Sequence, residues 1–322
     1  MSNQEANIKL FLEQCNFEKK NYNYLLTGTN GSEKLNFVTE IIKRYFFNKD
    51  QIDLKDPLNH PDVKYISLPI YDKSSKRIGV LPEADRLQYD YGLIDSLDTN
   101  KIGKEIVIDQ VRELTDFLNL SSYLDHKFVI INKCDYLNRE SSAAILKTLE
   151  ETNSSSIFFL ITSELSSVSD TIISRCQKFN YKRKEISANY CSYYEYYISS
   201  LPIEIVTEHN SILSKLETVE DDISALNKRD LPALTFTDKW SQLDKLLIDY
   251  LINLFSLLLK GRYLDNKTSE IYKHLQQKII LDEDKLINIL KTLLKKKSEY
   301  LNVNINKKLF FDDLLIVINN EL

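Results

Sequence analysis

A strand, a glycine-rich loop and a helix near the start of the chain constrain its fold more than any other feature. The apolar run Tyr24-Leu25-Leu26 leads into Gly28, Gly31 and Lys34, at the spacing of a GxxxxGK[ST] phosphate loop. Apolar residues then recur at helical spacing, namely Leu35, Val38, Ile41, Ile42, Tyr45 and Phe46. This succession is typical of the first strand and helix of an α/β domain.

Two positions of the loop depart from the template. Glu33 replaces the glycine before the lysine, and a carboxylate at a helix start competes with phosphate for the positive end of the helix dipole. Leu35 replaces the hydroxyl residue that would bind Mg²⁺. A degenerate glycine-rich turn is, by itself, usually only a turn. Within this strand and helix, we interpret Gly28, Gly31 and Lys34 as a vestigial phosphate loop.

A second apolar strand shows a matching loss of acidic residues. The run Phe128 to Ile131 leads into Asn132 and Lys133, where a P-loop ATPase has the acidic residues of its Walker B motif. An amide has no charge to offer Mg²⁺, and a lysine repels it. We interpret Asn132 and Lys133 as a vestigial Walker B site. The chain itself is therefore expected to use no cofactor and to hydrolyse no ATP.

Composition narrows the class of protein. The net charge of −5 and the pI of about 5.6 argue against autonomous tight binding to nucleic acid. The N-terminal residues are too polar for a signal peptide, and the apolar stretch 246–259 is interrupted by Asp249 and Asn253. We expect a cytoplasmic protein with no membrane partner. The cysteines are far apart and predict neither a disulfide framework nor a metal site; they are Cys15, Cys134, Cys176 and Cys191.

The pattern of secondary structure changes near residue 181. Before it, short apolar runs alternate with helical patterns such as 110–119 and 139–151, and the runs predict buried parallel strands at 24–26, 63–67, 105–108, 128–131 and 157–161. Residues 1–181 therefore predict an α/β domain. The segment around 70–104 is charged and contains glycine and proline, so we expect it to be an insertion that lies outside the core. The remainder is predicted as a small helical module over 182–230 and a helical bundle over 231–322.

Five sequence segments match one protein family in order and spacing. They are His60 to Val63, Ile108 to Leu114, Ala143 to Glu151, Phe159 to Ser163, and Ser174-Arg175-Cys176. Together they resemble the AAA+ subunits of the bacterial DNA polymerase III clamp loader. The tail, from residue 301 to 304 and from 309 to 318, is similar to the end of the family's collar domain. The resemblance implies an AAA+ domain with P-loop topology, a small helical lid and an all-α collar.

Within that family, the delta-prime subunits combine a defective ATP site with a retained Ser-Arg-Cys, and the chain is most similar to them. Such subunits commonly carry four zinc-binding cysteines, but residues 47–59 contain none, which indicates a zinc-less, diverged form. The resemblance implies partners of the gamma/tau and delta types, which would bind ATP and Mg²⁺, and a sliding clamp and primer-template DNA reached through the assembly. Thr162 and Ser163 stand at the sensor position, and we expect them to cap a strand end.

The resemblance implies that Arg175 is an arginine finger acting in trans on ATP held by a neighbouring subunit. A guanidinium suits this role because it stays charged and binds phosphate oxygens bidentately. The alternative is that Arg175 caps its helix or pairs with a carboxylate. At the level of the whole chain, the alternative is a gamma/tau-like motor, or another P-loop ATPase, that hydrolyses ATP itself. The residues that disfavour a motor are Glu33, Leu35, Asn132 and Lys133.

Overall fold

The computed structural model describes residues 3–14, 21–28, 31, 33–50, 54–94, 96–123, 125–151, 155–182, 190, 192–261, 266–302 and 306–322. The chain divides into two compact units, Met1–Tyr89 with Ile94–Glu185, and Asp90–Leu93 with Ile186–Leu322. The expected boundaries at residues 181 and 230 remain predictions. In the described part of the chain, no helix is long and apolar enough to cross a membrane.

The first unit alternates strands with helices, as its sequence pattern predicts. Its elements are α1 (Asn3–Gln14), β1 (Asn21–Thr27), α2 (Glu33–Asp50), β2 (Val63–Ile66), β3 (Pro69–Tyr71), β4 (Arg77–Val80), α3 (Glu83–Asp90), β5 (Ser96–Leu97), β6 (Asn100–Ile102), α4 (Ile108–Asn119), β7 (Lys127–Asn132), α5 (Arg139–Glu151), β8 (Ser156–Ile161), α6 (Asp170–Ile173) and β9 (Gln177–Asn180). The α/β fold class is therefore confirmed for this part of the chain.

Five parallel strands form the main sheet in the order β2-β7-β8-β1-β9. Because the strands are parallel, the phosphate-loop residues after β1 lie at the same edge as the carboxyl ends of β7 and β8. The strand predicted over 105–108 is wrong: Ile106 makes only an isolated bridge to Leu137, and α4 already begins at Ile108. The apolar pattern there reflects burial and not pairing within a sheet, since Ile106 is fully buried. β9, which the sequence did not predict, is the outermost strand and pairs with β1.

Helices cover both faces of the main sheet. Successive residues of a strand point to opposite faces, so Phe128 and Ile130 pack with α1 and α2, whereas Val129 and Ile131 pack with α4 and α5. On the first face, aromatic rings from several elements meet edge to face or stacked; they are Phe11, Tyr24, Phe37, Phe159 and Phe179. The result is a three-layer domain whose sheet is buried on both sides.

The insertion around 70–104 has a structure of its own. Strands β4, β3, β6 and β5 form an antiparallel four-stranded sheet in that order, and α3 follows β4 in the chain. The expectation that this segment lies outside the core is wrong for Ile70, Leu81 and Ile102, which are buried in the cluster that also holds Val129 and Ile131. The insertion is thus packed into the domain, and α3 lies close to the main sheet.

The second unit is helical. Its elements are α7 (Tyr193–Ser200), α8 (Ile203–Glu208), α9 (Asn210–Leu213), α10 (Val219–Asn227), α11 (Thr237–Lys260), α12 (Asn266–Lys278), α13 (Glu283–Asn302) and α14 (Lys307–Glu321). The apolar stretch 246–259 lies in α11, which packs against α13 and α14 and is kinked at Asp244. The fully buried Trp240 donates from Nε1 to a carboxylate oxygen of Asp222 at 2.9 Å. This arrangement confirms the predicted all-α region after the α/β domain.

Candidate functional site

Polar side chains gather where β7 and β8 end and α2 begins. We call them the strand-edge cluster, and they are Lys34, Tyr65, Glu83, Arg86, Asn132, Lys133, Asp135 and Ser163. Lys34 and Asn132 are candidates from the sequence, and the structure brings them into one cluster. The carboxyl edge of a parallel sheet is where such folds bind ligands. This edge is therefore the place to test whether the chain can hold a nucleotide.

The ammonium of Lys34 is bonded by the chain itself. Its Nζ donates to the carbonyl oxygen of Gly28 and to Oγ of Ser163, both at 3.2 Å. The side chain is buried, with 2% of its surface exposed. The pKa of Lys34 is lowered from 10.5 to about 7, chiefly by burial and then by the positive charges of Lys133 and Arg86, while the negative charges of Glu83 and Asp135 oppose the shift. These two acceptors compete with any phosphate oxygen for the ammonium of Lys34.

The phosphate loop is tightly packed at Gly28. Its φ of +148° favours glycine, and a Cβ there would lie 2.7 Å from the carbonyl oxygen of Tyr181. Gly31 also has a positive φ, of 149°. Thr29, Asn30 and Ser32 lie outside the described residues, so the path of the loop between the glycines is not part of the site geometry. At both positions the backbone has a conformation that favours glycine.

The side chain of Leu35 lies in the hydrophobic core. It is 4% exposed and packs with Phe37, Val38 and Ile161 in the cluster under α1 and α2. A hydroxyl residue at this position would be needed to bind Mg²⁺ in a working phosphate loop. Here the position supplies apolar packing instead.

Asn132, at the end of β7, is paired with an acid from the insertion. Its Nδ2 donates to Oη of Tyr65 at 3.0 Å and to Oε2 of Glu83 at 2.5 Å. Glu83 also accepts two bonds of 2.6 Å from the guanidinium of Arg86, which is 1% exposed. Burial raises the pKa of Tyr65, and the Glu83 carboxylate adds to that effect. Sequence reasoning missed Glu83 and Arg86, because 49 residues separate Glu83 from Asn132 and no local motif links them.

Lys133 is buried in a left-handed turn. Its φ is 66°, and its ammonium lies 5.4 Å from the centroid of the Tyr136 ring. The following Cys134 is buried as well, and burial raises its pKa well above the usual value. Burial also raises the pKa of Cys176, to about 12, so both thiols stay protonated. Among the described residues, no group of three or more His, Cys, Asp or Glu side chains could hold a metal ion; Cys15 and Cys191 lie outside them.

The residues after β8 have separate roles. Oγ1 of Thr162 accepts a hydrogen bond from the backbone N–H of Glu164 at 3.0 Å, so the predicted strand-end cap is confirmed for Thr162. Ser163 instead accepts from Lys34, as described above. That contact was not predicted, because the bond joins residues 129 positions apart.

Arg175 lies near the amino ends of the strands, at the end of the sheet opposite the strand-edge cluster. It precedes β9, whose Gln177 is paired with Tyr24, and its carbonyl oxygen accepts from Nδ2 of Asn23 at 3.3 Å. Asn23 is near the start of β1, whereas Gly28 follows its end, so the two edges are roughly 16 Å apart along the strand. The structure does not bring Arg175 and the phosphate loop together.

The guanidinium of Arg175 has local partners in the isolated chain. It pairs with the carboxylate of Glu150 and donates from Nη1 to the carbonyl oxygen of Thr171 at 3.0 Å. Its side chain is 38% exposed. These contacts correspond to the alternative in which Arg175 pairs with a carboxylate, and they leave part of the guanidinium accessible from solvent.

Two of the segments that matched the family have structural roles. Nδ1 of His60 accepts from the backbone N–H of Asp62 at 3.1 Å, and Asp62 accepts from the N–H of Tyr123 at 3.0 Å. Gln110 donates from Nε2 to the carbonyl oxygen of Ser67 at 2.8 Å. Both motifs therefore hold loops at the ends of strands.

Comparison with known proteins supplies a second line of observation. A family model described as "DNA polymerase III, delta subunit" matches residues 3–185. The gamma/tau subunit of DNA polymerase III from Mycoplasma genitalium is 26% identical over 246 residues, which cover 76% of this chain and 34% of that protein. The tau subunit from Bacillus subtilis is 39% identical over 77 residues, 24% of this chain and 14% of that protein.

A relative of another subunit type matches a similar length. The delta' subunit of DNA polymerase III from Haemophilus influenzae is 34% identical over 79 residues, which cover 24% of this chain and 24% of that protein. The matched regions thus span at most 34% of the length of these three relatives. Subunits of both types are similar to the chain, so similarity alone does not choose between them.

Proposed function

The chain belongs to the DNA polymerase III delta subunit family, and we propose that it is a delta-prime-like subunit of the replicative clamp loader that does not hydrolyse ATP. In this proposal, gamma/tau and delta subunits are its partners and bind the ATP and Mg²⁺. The assembly, with this chain in it, loads the sliding clamp onto primer-template DNA. The choice of a delta-prime-like role over a gamma/tau-like one rests on the strand-edge cluster.

The bonding of Lys34 is the observation that carries the proposal. In a working phosphate loop this ammonium contacts the β- and γ-phosphates. Here its Nζ is bonded to Gly28 and Ser163 of the same chain, and its pKa is lowered to about 7. A nucleotide would have to displace both bonds and would meet the carboxylate of Glu83 next to Asn132. Both requirements disfavour phosphate binding.

The position of Arg175 supports a role in trans. It lies at the edge of the sheet away from the chain's own phosphate loop, and its guanidinium is partly exposed. An arginine supplied by a neighbouring molecule can raise the rate of GTP hydrolysis ~10³- to 10⁵-fold. We propose that Arg175 leaves Glu150 in the assembly and contacts the γ-phosphate held by an adjacent gamma/tau subunit. The guanidinium then has an anionic partner at both stages, and the carboxylate of Glu150, which is 49% exposed, is left to solvent.

The second candidate function is a gamma/tau-like motor that hydrolyses ATP. It is favoured by one observation, the match to the Mycoplasma genitalium gamma/tau subunit over 76% of this chain. The two functions differ in their demands on the strand-edge cluster, because only a motor needs Lys34 to reach a phosphate. Nucleotide binding by the isolated chain separates them.

Calorimetric titration of the purified chain with ATP and Mg²⁺ tests the proposal. We expect no saturable binding tighter than about 1 mM, equivalent to about −4 kcal/mol, and no ATP hydrolysis above a buffer blank. Micromolar binding that requires Mg²⁺ would favour the motor instead. A parallel reconstitution with gamma/tau and delta subunits should give an assembly with ATPase activity that depends on clamp and primer-template DNA. Failure of the chain to enter that assembly would contradict the proposed partners.

A further inference from the structure

The insertion brings a carboxylate to the edge where β7 has lost one. Glu83 begins α3, and its side chain is 16% exposed. It bonds to Nδ2 of Asn132 at 2.5 Å and to two nitrogens of Arg86 at 2.6 Å. A carboxylate bound by a guanidinium fork and an amide is held firmly in one orientation. The acid is therefore a fixed part of the strand-edge cluster.

Asn132 and Glu83 are chemically complementary. An amide can donate to the carboxylate, whereas an aspartate at position 132 would bring a second negative charge into contact with it. Two carboxylates that close cannot both ionise without a large cost. The residue that replaces the Walker B acid and the acid supplied by the insertion thus form one arrangement. An aspartate at position 132 alone would place two carboxylates in contact, and loss of the Glu83 carboxylate alone would leave none.

The cluster holds three cationic side chains and two anionic ones, so removing Glu83 leaves three cations and one anion. Lys133 and Arg86 act on Lys34 as positive charges, and Glu83 and Asp135 act on it as negative charges. Arg86 and Lys34 are 1% and 2% exposed, and Lys133 is 6% exposed. Buried charges require a partner of opposite sign. Without the carboxylate of Glu83, Asp135 would remain as the acid that acts on Lys34.

We propose that Glu83 is an internal anion that fills the phosphate position of the strand-edge cluster, and that neutralising it creates a site for inorganic pyrophosphate. Helix α3 would then exclude phosphate groups from this edge in the folded chain. In this proposal the insertion has a specific role, because it supplies the carboxylate that fills the phosphate position. The inference rests on the proposed function, since it assumes that the unaltered chain binds no nucleotide.

The first test compares Glu83→Gln with a matched control, Glu105→Gln, an exposed glutamate that follows the insertion. Pyrophosphate is titrated calorimetrically into each, and the melting temperature is measured with and without it. Glu83→Gln should bind at least about tenfold more tightly than the unaltered chain, a change of about 1.4 kcal/mol. Its melting temperature should rise with pyrophosphate, because a ligand that binds only the folded state stabilises it. Adding Lys34→Met should abolish the binding.

A folded Glu83→Gln variant that binds pyrophosphate no better than Glu105→Gln would overturn the inference. If Glu83→Gln does not fold, the swapped variant Glu83→Gln with Asn132→Asp decides. It returns one carboxylate to the contact, so it should fold and bind no pyrophosphate. Where Glu83→Gln does fold, the unfolding equilibrium of the swapped variant should be at least about tenfold more favourable to the native state than additivity of the single changes predicts. Where Glu83→Gln does not fold, a swapped variant that also fails to fold would refute the pairing. Additive effects would refute the pairing of Asn132 with Glu83.

Failure of the proposed function gives a different result. In that case the unaltered chain binds ATP with Mg²⁺ while Glu83 is still present. Failure of the inference leaves the unaltered chain without ATP binding and Glu83→Gln without pyrophosphate binding. The two titrations on the same preparations therefore separate the two failures.

Discussion

Replacing Arg175 by alanine should leave the isolated chain almost unchanged and should impair the assembly. In the chain, Arg175 pairs with Glu150 and donates to the carbonyl oxygen of Thr171. The two charged side chains are 38% and 49% exposed, so solvent screens their attraction. An exposed pair of this kind is worth ~0.2 to 1 kcal/mol. For a domain of this size, such a loss lowers the melting temperature by about 2 to 4 °C at most.

The effect on catalysis should be much larger. If Arg175 contacts the γ-phosphate of a neighbour, its loss removes an interaction made in the transition state, and fingers of this kind contribute ~10³- to 10⁵-fold in GTPases. An assembly with several ATP sites keeps activity at interfaces that lack this arginine. We therefore expect turnover at the affected interface to fall by about one to several orders of magnitude, with residual activity from the other sites.

The assay is single-turnover ATP hydrolysis by an assembly reconstituted with the altered chain, together with clamp loading on primer-template DNA. Arg112→Ala is the matched control, because Arg112 is an exposed arginine that pairs with Asp109 three residues earlier on α4. It should have no effect on either readout. Arg175→Lys should recover only part of the activity, since a lysine keeps the charge and loses the bidentate geometry.

Two results would refute this reasoning. If Arg175→Ala prevents assembly, the residue supports an interface and not a phosphate. If Arg175→Ala is silent while Lys34→Ala abolishes hydrolysis, the chain's own loop works in cis and the motor function replaces our proposal. In the proposed function, Lys34→Ala changes turnover very little because no hydrolysis depends on its loop.

Three further predictions follow from burial and charge. The folded-state pKa of Lys34 is lowered to about 7, so the stability linked to its proton is full above the unfolded pKa and is lost as pH falls through about 7. Relative to Lys34→Met, the unfolding free energy should therefore rise by at most about 1.4 kcal/mol per pH unit from about pH 7 to 9. Urea titration at several pH values measures this rise. No such rise would mean that Lys34 is solvated. Phe158→Ala should cost about 3 to 5 kcal/mol, because this fully buried ring lies in the core cluster that also holds residues of α4 and α5, and a loss below about 1 kcal/mol would contradict that burial. Elemental analysis should find less than one zinc per chain, and a stoichiometric zinc would show a site among residues that sequence analysis misread.

Much of the α/β domain could be predicted from local sequence patterns. The runs at 128–131 and 157–161 lie within β7 and β8, and the helix expected over 139–151 matches α5. These segments are predictable because the periodicity of apolar residues reports which side chains are buried in a strand or a helix. The same signal misled at 105–108, since Ile106 is buried in a connection that joins no sheet. The family was also identified from sequence, and the match over residues 3–185 confirms it.

The sequence by itself determined that Leu35 and Asn132 carry neither the hydroxyl nor the carboxylate that a working ATP site needs at those positions, whatever surrounds them. Only the tertiary structure decided what those positions do instead. It turns Leu35 into the core, bonds Lys34 to Ser163, and brings Glu83 of the insertion to Asn132. Such contacts join residues far apart in the chain, and they depend on strand order and on which edge of the sheet each loop meets. Local sequence patterns carry no information about that geometry, which is why the contact of Glu83 with Asn132 was found only in the folded domain.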